Sequence, residues 1–323
     1  MAAALDTDHL LTDAMQQVIK TFDDELRSDL PFLNGLLNHL GAYRGKLLRP
    51  KLLLLSGLAT GGIRQEHVVL AAVVEMVHMA TLVHDDVLDE ADLRRRGPTV
   101  NRTLGNEGAV LLGDYLISHS YHLCSRLGST LYARRIAAVT NTVCEGELMQ
   151  IEHRGDFDLS EATYLEIIRR KTAVLTSACC ELGARASEAG PQIVEHLTAF
   201  GIELGVAFQI IDDLLDLTET ESEAGKTTGR DTDLGELTLP LIHFRDRATA
   251  EPRDRLISIL SDTEDRKAER VRALLENDEP LEYARSVARS HVRAAVAQLA
   301  CLPEGRPRDA LLTAAEFVLT RRT

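Results

Sequence analysis

Two clusters of carboxylates carry the strongest chemical signal in this chain. Asp85, Asp86 and Asp89 follow an apolar run and precede Arg94, Arg95 and Arg96 within the stretch Glu75–Asn101. Asp212, Asp213 and Asp216 repeat the spacing, again after an apolar run and again before basic residues, Lys226 and Arg230. On a helix, residues four apart share a face, so Asp85 and Asp89 point one way and Asp86 lies about 100° round from Asp85. Like charges so spaced repel one another. A hard divalent cation relieves that repulsion, and Mg²⁺ is typically held by one or two carboxylates plus substrate phosphates. The arginines beyond suit a diphosphate, because their planar fork meets phosphate oxygens in two places. A single such cluster is equally a solvated helix end. Two copies point to one cavity between two helices, expected to pack antiparallel, which is a usual place for a site in a helical bundle.

The rest of the chain must position these groups. Its 323 residues can bury a sizeable core, and 45% hydrophobic content places it among globular proteins. Aromatic residues make up only 4% and Trp is absent, so the core is aliphatic and the pattern favours a helix bundle. A net charge of −14 argues against a nucleic-acid partner and against a basic membrane-docking face. No run of about 18 apolar residues appears, so no membrane span is expected. The first residues, with an early Asp and no basic segment, do not read as a signal peptide. Five cysteines (Cys124, Cys144, Cys179, Cys180, Cys301) form no pairing pattern and read as reduced thiols of a cytoplasmic protein.

Along the chain, Thr7–Arg27 reads as an amphipathic helix through Leu10, Leu11, Ala14, Val18 and Phe22, broken at Pro31, with a short helix then ending near Gly41. Tyr43–Pro50 is a turn into a helix; Lys46 and Arg49 share a face and by themselves are a solvated basic pair. Glu66–Asp92 is a long helix without Pro or Gly, and His78, two turns before Asp85, by itself reads as a core histidine. No proline interrupts the segment between Pro98 and Pro191, which suits long helices. Gly113–Ser118 and Glu145–Gln150 read as packing elements, and Ser160 as a helix N-cap. Lys171 and Thr172 by themselves form a polar turn on an amphipathic helix. Thr218–Asp231, polar with two glycines, reads as a mobile loop. Beyond Pro240 come shorter charged helices that wrap the bundle, interrupted at Pro252, Pro280, Pro303 and Pro307, in which no chemistry is legible.

The paired motifs, Asp85-Asp86-x-x-Asp89 and Asp212-Asp213-x-x-Asp216, resemble those of the trans-type isoprenyl diphosphate synthases (polyprenyl synthetases), most of all the long-chain members. The similarity runs from Gly41 to Pro240 and weakens toward the C-terminus. It implies an all-α fold: residues 1–323 as one domain, a large bundle of long antiparallel helices of the isoprenoid synthase type around a central cavity. It implies head-to-tail condensation of isopentenyl diphosphate with an allylic primer, farnesyl or geranylgeranyl diphosphate. Mg²⁺ would be held by Asp85, Asp89, Asp212 and Asp216. Asp85, Asp86, Asp89, Lys171, Thr172, Gln209, Asp212 and Asp213 would be the catalytic set. Arg94, Lys171 and Lys226 would neutralise the allylic diphosphate, and Lys46, Arg49, His78 and Arg95 would hold isopentenyl diphosphate. A homodimer, working near a membrane because its product is apolar, is implied too.

The chain departs from the family pattern in three places. Arg44 and Leu47 stand where the family's GGKxxRP motif has glycine and arginine, though Lys46 and Arg49 survive. Arg96 is an extra arginine and reads as a solvated charge. Glu236 stands where GKxTLP carries lysine, and is expected to turn outward and pair with a base such as Arg230. Ala80 and Thr81, just before the first aspartates, are small, and Val73, Val74 and Val77 are modest. In the resembled family, small residues there leave the product pocket open, which points to a product longer than geranylgeranyl diphosphate; equally, they allow close helix packing. The rivals are a geranylgeranyl diphosphate synthase, a terpene cyclase, which has no use for a second diphosphate site, and a non-catalytic subunit, which would be expected to lose an aspartate motif.

Overall fold

An aliphatic chain punctuated by Pro and Gly folds here almost wholly as helix. The computed structural model describes residues 2–94, 97–219, 228–262, 267–275 and 278–321. Helix α1 (Ala2–Leu26) starts earlier than its apolar stripe suggests and buries Ala14, Val18 and Phe22, leaving Leu10 outward. Pro31 opens α2 (Pro31–His39) instead of ending α1, since a first-turn proline gives up no helical hydrogen bond. A 3₁₀ turn (Leu40–Tyr43) and Leu47 in the left-handed region (φ 49°) lead into α3 (Leu48–Thr60). Helix α4 (Gln65–Leu88) delivers the first aspartates, and a two-residue hairpin pairs β1 (Leu93–Arg94) with β2 (Gly97–Pro98).

The proline-free segment supplies α5 (Val100–Ser125), kinked at Gly105, α6 (Thr130–Glu152), α7 (Glu161–Ile168), a π-helical turn (Arg169–Ala173) and α8 (Val174–Ala186). Ser160 caps α7 as expected, its Oγ accepting from the Thr163 amide at 3.1 Å. Helix α9 (Pro191–Thr218) delivers the second aspartates. The shorter helices α10 (Arg230–Asp233), α11 (Leu239–Arg247), α12 (Ala250–Ser261), α13 (Lys267–Leu274), α14 (Glu279–Gln298) and α15 (Arg306–Thr320) follow. Pro252, Pro280 and Pro307 lie in the first turns of α12, α14 and α15, so they start helices and do not break them.

Every residue of α8 except Arg185 is buried, which makes it the axial helix, with α3, α4, α6 and α9 packed around it. Helices α8 and α9 form an antiparallel hairpin across Ser187–Gly190. The end of α4 meets the turn that opens α8, because Asp85 and Asp89 both act on Lys171. Hence α4 and α9 run in the same direction, and the expected antiparallel pairing of the two aspartate helices is corrected. Both clusters lie at helix C-termini, where the helix dipole adds negative potential and sharpens the need for cations.

Helices α4 and α9 are long and apolar enough to cross a membrane by length and composition alone. In this fold they are packed inside the bundle, with 78% of the apolar window of α4 buried. One apolar core runs from Ala14 to Val318. Cys124, Cys179 and Cys180 are in it, Cys301 is half-buried, Cys144 is exposed, and all five thiols are free.

Candidate active site

The first cluster divides its carboxylates between two faces of α4. Asp85 and Asp89 both lie near Lys171, with Asp89 on the wall of the interior cavity, whereas Asp86, 1% exposed, is enclosed. Tyr43 donates its phenol to Asp86 Oδ2 at 2.7 Å, and Arg94 clamps the carboxylate through Nε at 2.9 Å and Nη2 at 2.6 Å. The Asn101 amide donates to the Asp86 carbonyl at 3.1 Å. Asp86 and Arg94 therefore tie the hairpin and the 3₁₀ turn to α4. Asp86, expected as a catalytic carboxylate, and Arg94, expected as a diphosphate ligand, are thus paired with each other.

Lys171 and Thr172 occupy the π-helical turn, a feature often found at functional sites. Two glycines on neighbouring helices let that turn come close. A Cβ on Gly146 would lie 2.4 Å from the Lys171 amide nitrogen, and one on Gly205 would lie 2.5 Å from Ala173 Cα. The Lys171 ammonium reaches Glu147 Oε2 at 2.8 Å. Burial opposes its charge, but Asp85 and Glu147 outweigh that and hold its pKa above the ordinary lysine range. Burial, opposed by Lys171 and reinforced by Glu147 and Asp89, pushes the Asp85 carboxyl well above the usual carboxylate range.

The second cluster is divided in the same way. Asp213 is enclosed: Gln209 Nε2 donates to its Oδ1 at 2.7 Å and the Tyr164 phenol to its Oδ2 at 2.5 Å. Thr172 Oγ1 donates in turn to Gln209 Oε1 at 2.7 Å. Thr172, Gln209, Asp213 and Tyr164 thus form one relay that fixes the π-turn to α9 and α7. Burial raises the Asp213 carboxyl, with the Tyr164 and Gln209 hydrogen bonds opposing. Asp216 is buried beside half-buried Asp231, whose own carboxyl is raised by burial and by Asp216 and Asp213. Asp212 pairs with Arg321, just past the end of α15, and that guanidinium lies 3.8 Å from the Phe208 ring centroid.

The predicted isopentenyl diphosphate ligands also converge. Arg49 Nη1 lies 3.0 Å from His78 Nε2; since arginine only donates, His78 accepts there. Arg49 feels the charges of Glu75, Asp212 and Arg321, which places it across from the second cluster. Its Nε is buried without a hydrogen-bond partner among the described residues. Lys46 is exposed, its ammonium 5.3 Å from the Phe317 ring centroid. Arg95, Arg96 and Lys226 lie outside the described residues. Ala80 is fully buried, and Thr81 turns its hydroxyl back to the His78 carbonyl at 2.8 Å.

Glu236 is corrected. It does not turn outward, and its partner is not Arg230. It is 8% exposed, accepts from Gln150 Nε2 at 2.5 Å, and pairs with Arg154 Nε at 2.8 Å. Arg154 reaches on to Asp89 Oδ1 through Nη2 at 3.0 Å. These groups border a cavity of about 90 Å³ lined by Asp89, Lys171, Gln209, Asp213 and Asp231 among others. The reading of Glu145–Gln150 as mere packing fails for Glu147 and Gln150. They fall at i and i+3 on one face of α6, with Arg154 two residues past its end, and that polar spacing was the available signal. Tyr43, Tyr164 and Arg321 were also missed.

The donors fit a hard divalent cation. They are all carboxylate oxygens, set at helix C-termini, and nearby Glu147 Oε1 is buried without a hydrogen-bond partner among the described residues.

Comparison with known proteins agrees with this geometry. The polyprenyl synthetase family profile matches residues 31–277. The heptaprenyl diphosphate synthase component 2 of Bacillus subtilis is 34% identical over 312 residues, covering 97% of this chain and 89% of that protein. A short chain isoprenyl diphosphate synthase of Methanothermobacter thermautotrophicus is 36% identical over 287 residues, covering 88% of each. The crystal structure of a polyprenyl synthase from Caulobacter crescentus, complexed with calcium and isoprenyl diphosphate, superposes with a TM-score of 0.91 at 34% identity, covering 98% of this chain and 97% of that one.

Proposed function

The chain belongs to the polyprenyl synthetase family, and from that premise we propose that it is a trans-prenyltransferase that condenses isopentenyl diphosphate with an allylic diphosphate to give a long-chain all-trans polyprenyl diphosphate. The observation that carries this reading is the approach of both aspartate clusters to one set of cations: Asp85, Asp89 and Asp231, the last beside Asp216, act on Lys171, and Asp212 acts on Arg49, which meets His78.

Mg²⁺ held by Asp85, Asp89, Asp212 and Asp216 would supply positive charge to the departing diphosphate. Lys171 adds a cation kept charged by Glu147 and Asp85. Arg49 and His78, with Lys46 at the rim, hold isopentenyl diphosphate so that its double bond faces the allylic carbon; this orientation supplies much of the rate. Asp86 and Asp213 position their neighbours. Buried apolar α4 below Asp85 provides the wall along which the tail grows, with small Ala80 leaving room near the top. The core from Ala14 to Val318 supports residues 1–323 acting as one domain, and the five free thiols suit the reducing cytoplasm. Val110 and Leu111 on α5 and Leu148 and Ile151 on α6 are exposed apolar residues on adjoining helices, and support a homodimer through that face.

Incubating the purified chain with Mg²⁺, farnesyl diphosphate and labelled isopentenyl diphosphate tests the reading. A ladder ending well beyond geranylgeranyl is expected. A stop at geranylgeranyl keeps the enzyme class and moves the product floor to another helix, the outcome that similarity to the short-chain relative favours. No incorporation by the chain alone would shift the reading to a subunit needing a partner, as the "component 2" of the Bacillus relative's name suggests for that protein. Light scattering of a single monomeric species would overturn the homodimer.

A further inference from the structure

A carboxylate on the wall of a diphosphate site should repel the ligand, and Glu236 is such a carboxylate, 8% exposed and on the wall it shares with Asp89 and Lys171. Its two oxygens are both occupied, by Gln150 Nε2 at 2.5 Å and by Arg154 Nε at 2.8 Å. Arg154 is held at Nε alone among its contacts to Glu236, so its outer edge turns away from that carboxylate. Nη2 meets Asp89 Oδ1 at 3.0 Å and Nη1 meets the Leu88 carbonyl at 3.5 Å. The Glu236–Arg154 pair is neutral as a unit, but it is oriented: its negative end is packed against Gln150 and its positive end faces the end of α4.

We propose that Arg154 is a binding residue for the diphosphate of the allylic substrate and that Glu236 is the positioning residue that aims it. The proposal rests on the reading of this chain as a prenyltransferase with an allylic diphosphate site at Asp85, Asp89 and Lys171. In the ligand-free arrangement Asp89 neutralises Arg154. When Asp89 gives its charge to a divalent cation, Nη2 is released while Nε stays on Glu236. The outer edge of the guanidinium, already fixed in plane, then meets phosphate oxygens with little further ordering. A positive group is thereby kept on this wall by Arg154, just past the end of α6, although residue 236 is a glutamate.

The test is calorimetric binding of farnesyl thiodiphosphate, an unreactive allylic analogue, in Mg²⁺, alongside KM for each substrate. Arg154→Met is expected to weaken the analogue and raise the farnesyl diphosphate KM by roughly tenfold or more, the loss of a charge-assisted hydrogen bond, with the isopentenyl diphosphate KM nearly unchanged. Arg154→Lys should fall between, because it keeps charge and loses the fork. Glu236→Gln should weaken binding less than Arg154→Met, since the guanidinium remains but is no longer aimed. Combining Arg154→Met with Glu236→Lys should recover most of the affinity by returning a cation to the same wall. Wild-type affinity in Arg154→Met, or an equal rise in both KM values, overturns the proposal. Wild-type protein that binds no analogue at all overturns the prenyltransferase reading on which it rests, so the two failures are distinct. Unchanged thermal unfolding of Arg154→Met separates lost binding from lost fold.

Discussion

Tyr43 donates its phenol to Asp86 Oδ2 at 2.7 Å while its own oxygen accepts the Val100 amide at 2.9 Å, so one ring joins the 3₁₀ turn, α4 and the start of α5. With Arg94 on the same carboxylate, Asp86 is an enclosed ion pair, unlike its neighbour Asp85. The two residues should therefore fail differently. Asp86→Asn leaves the Arg94 guanidinium without its counter-charge and should cost about 3 kcal/mol of stability in denaturant unfolding. Tyr43→Phe should cost less, about 1–2 kcal/mol, for the lost hydrogen bonds. Asp85→Asn removes a carboxylate repelled by Glu147 and Asp89, and should abolish turnover with stability unchanged or slightly raised. Equal destabilisation by Asp85→Asn and Asp86→Asn would refute this division.

The π-turn that carries Lys171 depends on two missing side chains. A methyl on Gly205 would meet Ala173 Cα at 2.5 Å, and one on Gly146 the Lys171 amide at 2.4 Å. Both neighbours are backbone atoms, which cannot swing aside. Gly205→Ala and Gly146→Ala should each cost about 1–3 kcal/mol by overpacking. They should also lower kcat more than a surface Gly→Ala such as Gly128→Ala, where no atom lies within 4 Å of the added Cβ. Wild-type kcat in both variants would show that the turn tolerates displacement.

His67, far from the aspartates, gives a pH dependence with a definite sign. Its Nδ1 accepts the Arg64 amide at 3.0 Å, so the ring is neutral with its proton on Nε2, which lies 3.0 Å from the Gly183 carbonyl and from Ser187 Oγ. Burial holds its pKa below the ordinary value of 6.5. The unfolded chain takes up this proton near pH 6.5 and the folded chain only at lower pH. The stability it contributes is present above that value and declines as pH falls, by up to about 1.4 kcal/mol per pH unit for one proton. Denaturant unfolding at pH 7.5, 6.5 and 5.5 should show the decline, and His67→Gln should flatten it. An identical slope in the variant would assign the acid sensitivity to other groups.

What could be read from the residues, and what could not, follows from the range of the interactions. The i, i+4 spacing of Asp85 with Asp89 already separates them from Asp86, because helical geometry alone turns Asp86 to another face. What occupies that other face is Tyr43, 43 residues away, and no local pattern announces it. Glu236 looked like a charge that must turn out, because its partner Arg154 lies 82 residues earlier and only tertiary packing brings them together. The relative direction of α4 and α9 was misjudged for the same reason: it is set by α8 between them. Family resemblance supplied the roles proposed for Lys171, Arg49 and His78, which composition and spacing alone left as ordinary surface or core residues.

A long-range ion pair at the site joins Arg321 to Asp212, 109 residues apart, with the guanidinium 9% exposed and stacked 3.8 Å from the Phe208 centroid. Helices after Pro240 were expected to carry no chemistry, yet this side chain neutralises one of the four carboxylates proposed to hold metal. A cation that takes Asp212 competes with it for the carboxylate's charge. Arg321→Ala should therefore lower the Mg²⁺ concentration for half-maximal activity, by roughly tenfold if the pair is worth about 1.5 kcal/mol. Calorimetric titration with Mn²⁺ should show the same tightening in the absence of any diphosphate, which separates competition at Asp212 from an effect on substrate. Arg321→Lys should keep part of the competition, since the ammonium retains the charge and loses the stacking on Phe208. An unchanged or higher metal requirement in Arg321→Ala would mean that the end of the chain supports the metal-loaded site and does not compete with it.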